Sequence, residues 1–257
     1  EDIRFSRAEG AGAGFPTGSG NLPRTARHSG LRRLFMVWNP LPHEREALCE
    51  LTIWDWPGDT GRLQVSDGYG QVLPHQIMSG GVSQYWGHRY QTILVLVRVP
   101  AAGYRTLVID EKPMQSISVR AHDVRKIKPA DLVLENEYLR ISISEQDGTV
   151  QSLLDKETGR DYADACEPTA LFRLIREDAS RGMTAWVVGA WRQISSLHQN
   201  VKVSDVSRGG LRQSITWTAG FGNQSSLTVT LSLDQGERQM RLDVQVRWQE
   251  IGSKQDG

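Results

Sequence analysis

The sequence predicts an all-β protein in which an antiparallel β-sandwich precedes a second β-unit. Short stretches of alternating apolar and polar residues recur between clusters of Pro, Gly and Asp, which is typical of strands joined by turns. No segment keeps a helical period over three turns. The 257 residues are enough for one large β-unit or two smaller ones, and eight Trp with 39% hydrophobic content can supply the cores.

The first unit is predicted to cover residues 31–111, after a Gly-rich linker or strap at residues 1–30. Its predicted strands are Arg33–Trp38, Ala47–Trp54, Arg62–Ser66, Gln71–Met78, Tyr90–Val99 and Tyr104–Ile109. The segment Thr92–Val99 is almost continuously apolar, so we expect a central strand that is covered on both faces. Residues 112–130 contain two Pro and a basic run, which predict a solvated connector.

The second unit, residues 131–257, is predicted to begin with a two-stranded meander, Tyr138–Ser144 and Thr149–Leu154. Apolar and polar residues alternate along the first of these strands, which places the two kinds on opposite faces. Asp147 and Gly148 between the strands favour a tight turn, because both residue types tolerate a positive φ angle. Asp155–Gly159 predicts a second turn after the meander.

Six further strands are predicted downstream, at Ala170–Arg176, Met183–Trp191, Val201–Ser207, Leu211–Ala219, Ser226–Leu233 and Met240–Gln249. The last two alternate most clearly. Leu, Val, Leu and Leu occupy every second position from Leu227 to Leu233, and the same pattern recurs from Leu242 to Trp248. We therefore expect each of these two strands to have one apolar face.

Charge and composition exclude several classes of partner. Thirty basic residues balance thirty acidic residues, so no net charge would attract nucleic acid or an anionic membrane. The longest apolar run, Ile93–Val97, is much shorter than the roughly 18 residues that a membrane helix needs. Both ends look cut and no signal peptide is visible. Cys49 and Cys166 fit two thiols in a reducing compartment, and a disulfide between them is the less common alternative. We therefore expect a cytoplasmic protein without nucleic-acid or membrane partners.

The residue types that carry chemistry form no catalytic or metal-binding motif. The six His residues never fall at the spacings of common metal sites and neither Cys belongs to a CxxC pair, so no metal site is predicted. No GxSxG elbow or catalytic Cys signature is present. Glu135 and Glu137 would share one strand face, where charged side chains are mostly solvated.

Three phrases of the sequence resemble, in order, those of glycoside hydrolase family 38, the zinc-dependent α-mannosidases. They are Val37–Arg45, Val99–Thr106, and a third phrase in two parts, Leu134–Arg140 (LENEYLR) and Ser152–Arg160 (SLLDKETGR). The resemblance implies a small β-sandwich followed by the N-terminal part of a large supersandwich, which is similar to the galactose mutarotase fold.

In that family, an N-terminal α/β barrel holds the zinc ligands and the carboxylate nucleophile, and a helical bundle follows the barrel. The resemblance therefore implies that this chain has no catalytic residue, that zinc belongs to the missing catalytic domain, and that the chain alone is inactive. Its expected partners are the barrel and the bundle of the same polypeptide and a mannose-containing carbohydrate. The intact protein would resemble a retaining α-mannosidase.

Aromatic residues are candidates for sugar contact, because the apolar face of a sugar ring suits an indole ring. The candidate sugar-contacting residues are Arg181, Trp186 and Trp191. Ala185 and Trp186 resemble a phrase near the cleft of related mannosidases, although the residues that follow depart from that phrase. Packing in a core or between domains is the alternative role for these Trp residues.

Two other functions stay open. A free-standing carbohydrate-binding module would bind sugar without catalysis. A sugar mutarotase would need a His acid and a Glu base that face one cleft, for which His198 and Glu250 are the nominal pair. Half a supersandwich should leave an open apolar face and unpaired strand edges, so we also predict self-association of this chain.

Overall fold

The structure, a computed structural model, describes residues 30–78, 83–85, 88–112, 132–163, 169, 172–178, 190–197 and 199–250. In these residues every pairing between strands is antiparallel and the only helical segment is a 3₁₀ turn, Thr60–Arg62, which confirms the all-β prediction. No helix in this part of the chain is long and apolar enough to cross a membrane. The chain divides into two compact units, Glu1–Asp123 and Val124–Gly257.

The first unit contains two sheets. One sheet consists, in spatial order, of β1 (Arg33–Asn39), β7 (Gly103–Glu111) and β3 (Leu63–Asp67). The other consists of β2 (Arg45–Trp54), β6 (His88–Val99) and β4 (His75–Ile77), and β5 (Ser83–Tyr85) pairs with β6. Apolar residues from both sheets share one buried core, with Val65 and Ile109 from the first sheet and Ile53 and Ile93 from the second. The unit is therefore a β-sandwich.

Two predictions for this unit have clear outcomes. Strand β6 lies in the centre of its sheet and buries the successive residues Ile93 and Leu94 completely, which confirms the expectation for Thr92–Val99. The strand predicted at Gln71–Met78 is wrong in extent, because only the three residues of β4 pair with β6. Pro74 stands directly before β4 and has no N–H group with which to continue the ladder.

The second unit contains three sheets. A three-stranded sheet consists of β10 (Val150–Asp155), β9 (Leu139–Ile143) and β8 (Val133–Glu135). A four-stranded sheet consists of β13 (Lys202–Arg208), β14 (Arg212–Phe221), β15 (Ser225–Asp234) and β16 (Met240–Arg247). The two-stranded sheet pairs β11 (Arg173–Glu177) with β12 (Trp191–Ser196). The three-stranded and four-stranded sheets share one core, in which Ile141, Ile215 and Val229 are completely buried.

The turn predicted between the first strands of this unit is confirmed at Gly148, which joins β9 to β10 with a φ angle of +70°. A Cβ atom on Gly148 would lie 2.4 Å from Nε1 of Trp217, a buried residue of β14. Glycine is therefore needed here for two reasons, because L-residues avoid this φ angle and because the turn packs directly on the indole ring.

Two expectations about strand boundaries in this unit are wrong. Glu135 ends β8 and Glu137 lies outside any strand, so the two do not share a strand face, although both are exposed. Strand β12 begins at Trp191, where the strand predicted at Met183–Trp191 was expected to end. The preceding residues 179–189 lie outside the described part of the chain.

Strand β16 keeps the predicted alternation, but its apolar side chains lie largely uncovered. Val244 is 42% exposed, Val246 is 53% exposed and Trp248, two positions further, is 55% exposed. We call these three residues the β16 stripe. Strand β16 is also the last strand of its sheet among the described residues, so its outer edge has no described partner there.

Candidate functional site

Only one of the three sequence-predicted sugar-contacting residues is placed by the structure. Trp191 opens β12, where its side chain is 57% exposed. It lies opposite Glu177 of β11 in the register of the two strands. Arg181 and Trp186 lie outside the described residues, and sugar contact by any of the three side chains stays a prediction.

Glu250, the nominal base of the mutarotase hypothesis, supports a turn. Its Oε1 atom accepts hydrogen bonds from the backbone N–H of Asn223 (3.0 Å) and from the hydroxyl of Ser225 (2.7 Å). These bonds, that of Ser225 most strongly, lower the pKa of Glu250. A general base that works near neutral pH needs a raised pKa, so this environment suits a structural role instead. His198 lies outside the described residues.

The same part of the chain bears on metal binding. No group of three or more His, Cys, Asp or Glu side chains among the described residues could hold a metal ion.

A concave site occurs instead in the second unit, where strands β9 and β10 meet the turn before β16. The cavity measures about 270 Å³. Leu139, Leu153 and Met240 provide apolar lining, and Tyr138 and Tyr162 add two aromatic side chains. The remaining lining residues are Asp155, Arg238 and Gln239. We call this cavity the tyrosine pocket.

The turn after β10 positions the acidic part of this pocket. Oδ1 of Asp155 accepts hydrogen bonds from the backbone N–H groups of Glu157 (2.9 Å) and Thr158 (3.2 Å). These two bonds lower the pKa of Asp155, so its carboxylate is charged at neutral pH. Gly159 completes the turn with a φ angle of +70°, which a residue with a side chain rarely adopts.

Asp161 fixes the segment that carries the second tyrosine. Its carboxylate accepts hydrogen bonds from the hydroxyl of Ser152 (2.6 Å) and the backbone N–H of Leu153 (2.8 Å). The bond from Ser152 is the main reason that the pKa of Asp161 is lowered. The backbone N–H of Tyr162 also donates to Leu153 O at 2.9 Å, so the chain before and at Tyr162 is tied to β10.

An ion pair connects this turn to the turn that precedes β16. Both terminal nitrogens of Arg238 donate to the carboxylate of Glu157, and the Nη2–Oε1 distance is 2.8 Å. The Arg238 guanidinium also lies over the Tyr138 ring, with 4.1 Å between its Cζ atom and the ring centroid. The bonds to Arg238 lower the pKa of Glu157, and the pKa of Arg238 is raised in turn. We call this pair the Glu157–Arg238 clasp.

The clasp gives a physical reason for the SLLDKETGR phrase. Lys156 donates to Oε1 of Glu135 (3.0 Å) and to the carbonyl of Asn136 (2.9 Å), so neighbouring residues of the phrase reach two different turns. Sequence reasoning missed the tyrosine pocket, because Asp155 and Arg238 are far apart in the chain and nothing local pairs them. The phrase itself was the only available signal.

Exposed aromatic residues form a separate surface on the first unit. Trp38 of β1 and Tyr104 of β7 lie opposite each other, with 4.9 Å between their ring centroids. Trp38 is 66% exposed and Tyr104 is 52% exposed, and Met36 on the same strand as Trp38 is also exposed. Exposed apolar residues in such a cluster mark interaction surfaces more often than isolated ones do. We call these three residues the Trp38 patch.

Comparison with known proteins finds a family match within the second unit. Residues 134–255 match the family model described as the glycosyl hydrolases family 38 C-terminal domain. A crystal structure of a protein in glycosyl hydrolase family 38 from Enterococcus faecalis resembles 86% of this chain, with a TM-score of 0.50 and 11% sequence identity. At that identity the likeness concerns the fold alone, and this chain spans 32% of the length of that protein. No curated protein sequence matches the chain.

Proposed function

Residues 134–255 belong to the C-terminal domain family of glycosyl hydrolase family 38, and from this premise we propose that the chain is a non-catalytic β-region of a zinc-dependent retaining α-mannosidase. Its role is to support the catalytic domain of the same polypeptide and to form part of the wall of the sugar cleft. The family match supports the glycosidase assignment, and the three sequence phrases support the narrower assignment to α-mannosidases.

The exposed β16 stripe is the observation that carries the supporting role. Val244 and Val246 lie in register with Val229 and Leu227 of β15, which are almost completely buried. The stripe therefore continues the apolar face of a core beyond the part that the three-stranded sheet covers. Burial of such side chains stabilises a protein by about 25 cal/mol for each Å² removed from water. A stripe of this kind suits a docking surface for another segment of the same polypeptide.

The catalytic groups are expected outside this chain. A retaining glycosidase needs a carboxylate nucleophile and an acid–base group, and an α-mannosidase of this type also needs zinc. The related structure from Enterococcus faecalis is about three times as long as this chain, which leaves room for a separate catalytic domain in such a protein. This chain would then contribute stability and shape to the enzyme rather than chemistry.

The test is an activity assay of the purified chain beside the longer polypeptide from which it comes. We expect no turnover of 4-nitrophenyl α-D-mannopyranoside by the chain with zinc sulfate present, and zinc-dependent turnover by the longer protein. Zinc-dependent turnover by the chain alone would refute the non-catalytic role. Failure of the longer protein to hydrolyse α-mannosides, together with hydrolysis of another glycoside, would refute the mannosidase assignment but keep the glycosidase one.

A further inference from the structure

We propose that the tyrosine pocket of the second unit binds one neutral pyranose ring of a glycan. A glycan bound here would be held on the second unit. Sugar binding does not depend on contact between this chain and a catalytic domain, so it can be tested on the chain itself.

The size of the pocket fits one ring. Sites for drug-sized ligands commonly measure about 300–1,000 Å³. At about 270 Å³ the tyrosine pocket lies just below that range, which favours a ligand of one ring over an extended oligosaccharide. The pocket is also open to solvent beside the exposed Tyr162, so the rest of a glycan could extend outward.

The apolar part of the pocket suits the C–H face of a pyranose. Leu139, Leu153 and Met240 line it together with the two tyrosines. The Arg160 guanidinium lies over the Tyr162 ring, with 4.7 Å between its Cζ atom and the ring centroid. Arg238 lies over Tyr138 in the same way. Both aromatic rings are therefore held in place by a cation before any ligand arrives.

The polar part of the pocket suits hydroxyl groups. The Asp155 carboxylate can accept hydrogen bonds from ligand hydroxyls, and the Gln239 amide can both donate and accept. Within the described residues, neither tyrosine hydroxyl has a hydrogen-bond partner, so both are available to a ligand. A few placed polar groups in a mainly apolar pocket are typical of small-molecule sites.

The charges around the pocket argue for a neutral ligand. Glu157 already neutralises Arg238 through two hydrogen bonds, and the nearby Asp155 carboxylate would repel an anion such as phosphate. The Arg160 guanidinium stacks on Tyr162 and would repel a cationic ligand beside that ring. An uncharged ring that carries hydroxyl groups suits both the apolar part and the polar part of the pocket.

The pocket is preorganised, which lowers the entropy cost of binding. The backbone hydrogen bonds to Asp155 fix the acidic rim, and the bonds to Asp161 fix the segment before Tyr162. The Glu157–Arg238 clasp joins the two turns that border the cavity. None of these contacts requires a ligand.

The experiment is a titration of the purified chain with methyl α-D-mannopyranoside and with methyl α-D-glucopyranoside. Binding is measured by saturation-transfer difference NMR and by calorimetry. We expect saturable binding of at least one of them with a Kd on the order of 1 mM, as befits a ligand of this size. Tyr162→Ala should weaken binding by about tenfold or more, because it removes one aromatic wall. Gln239→Ala should weaken binding by about threefold and leave the packing of the core unchanged.

Tyr104→Ala is the matched control, because Tyr104 and Tyr162 are each 52% exposed but only Tyr162 lines the pocket. The proposal expects unchanged binding in this variant. Absence of saturable binding by the unaltered chain, or equal affinity of the unaltered, Tyr162→Ala and Gln239→Ala proteins, would overturn it. Loss of binding in Tyr104→Ala alone would also overturn it and place the sugar on the Trp38 patch. None of these results would bear on whether the chain is non-catalytic.

Discussion

Strands β15 and β16 are direct neighbours with the same apolar alternation, yet they differ in how far their apolar side chains are exposed to solvent. Leu227 and Val229 of β15 are 3% and 0% exposed, whereas their cross-strand partners Val246 and Val244 are 53% and 42% exposed. The difference lies in the layer above them, because the core shared with the three-stranded sheet includes β15 but only the beginning of β16. Alternation thus specifies which side chains share a face, and the covering layer decides whether that face is buried.

The Glu157–Arg238 clasp explains where the covered part ends. It joins the turn after β10, in the covering sheet, to the turn just before β16. Met240 and Leu242 follow that turn and are partly buried against the core, while the β16 stripe lies further along the strand. The covering sheet therefore reaches the start of β16 and no further.

The largest expected effect separates the two strands directly. Val229→Asp places a carboxylate in the core and should destabilise the second unit by about 4 kcal/mol or more, whereas Val244→Asp should cost about 1 kcal/mol or less. Urea-induced unfolding followed by circular dichroism would measure both. Equal losses of unfolding free energy in the two variants would show that Val244 is as well covered as Val229. That result would contradict the difference between β15 and β16.

A second pair of substitutions compares two turns of the second unit that each contain a glycine. Gly148 and Gly159 both have a φ angle of +70°, but a Cβ atom on Gly148 would strike Trp217, while nothing lies within 4 Å of one on Gly159. Gly148→Ala should therefore cost about 2–4 kcal/mol, and Gly159→Ala about 1 kcal/mol from backbone strain alone. Thermal unfolding of the two variants gives the comparison, and a smaller loss in Gly148→Ala than in Gly159→Ala would contradict the packing on Trp217.

The contribution of the clasp should depend on pH. The pKa of Glu157 is lowered in the folded protein, mainly by its bonds to Arg238. A lowered pKa contributes stability that is complete above the unfolded value of 4.5 and is lost as the pH falls through the folded value. Glu157→Gln should thus be less stable than the unaltered chain at pH 7, and the difference should shrink as the pH falls below 4.5.

Glu145→Gln is the control for the clasp, since Glu145 is exposed and has no ion pair among the described residues. Its free energy of unfolding at pH 7 should match that of the unaltered chain. A gap between Glu157→Gln and the unaltered chain that stays constant from pH 7 to about pH 3 would contradict the assigned role of the clasp.

The smallest effect on stability should come from Val246→Lys. The substitution places a charge on an exposed strand that has no described neighbour on its outer edge, so folding should change by about 0.5 kcal/mol or less. The unaltered chain is expected to self-associate through this apolar surface, and the variant should shift toward monomer in light scattering. A monodisperse monomer for the unaltered chain would count against self-association through the β16 stripe.

Local patterns in the sequence predicted much of this fold. Period-two alternation located strands such as β15, and the Asp147–Gly148 pair correctly marked a tight turn, because both signals depend on neighbouring residues. The exposure of the β16 stripe could not be read from alternation, since it depends on a different sheet. The Glu157–Arg238 clasp joins residues that are distant in the chain, so the tyrosine pocket was equally hidden.

The candidate site shows the same limit. The sequence marks Trp191 only as an aromatic candidate for sugar contact, and the structure places it with an exposed side chain on a two-stranded sheet. Trp38 and Tyr104 received no role from the sequence, because a Trp on an apolar strand is indistinguishable from a core residue until its neighbours are known. Their exposure appears only when β1 and β7 are paired.

The most direct test of the central claim is hydroxyl-radical footprinting of the β16 stripe in two samples, the chain alone and the longer polypeptide that contains it. The account predicts rapid oxidation of Val246 and Trp248 in the chain alone and strong protection of both in the longer protein, because another segment of the same polypeptide docks on the stripe. Equal oxidation in the two samples would contradict the supporting role and leave the stripe without a partner in the enzyme.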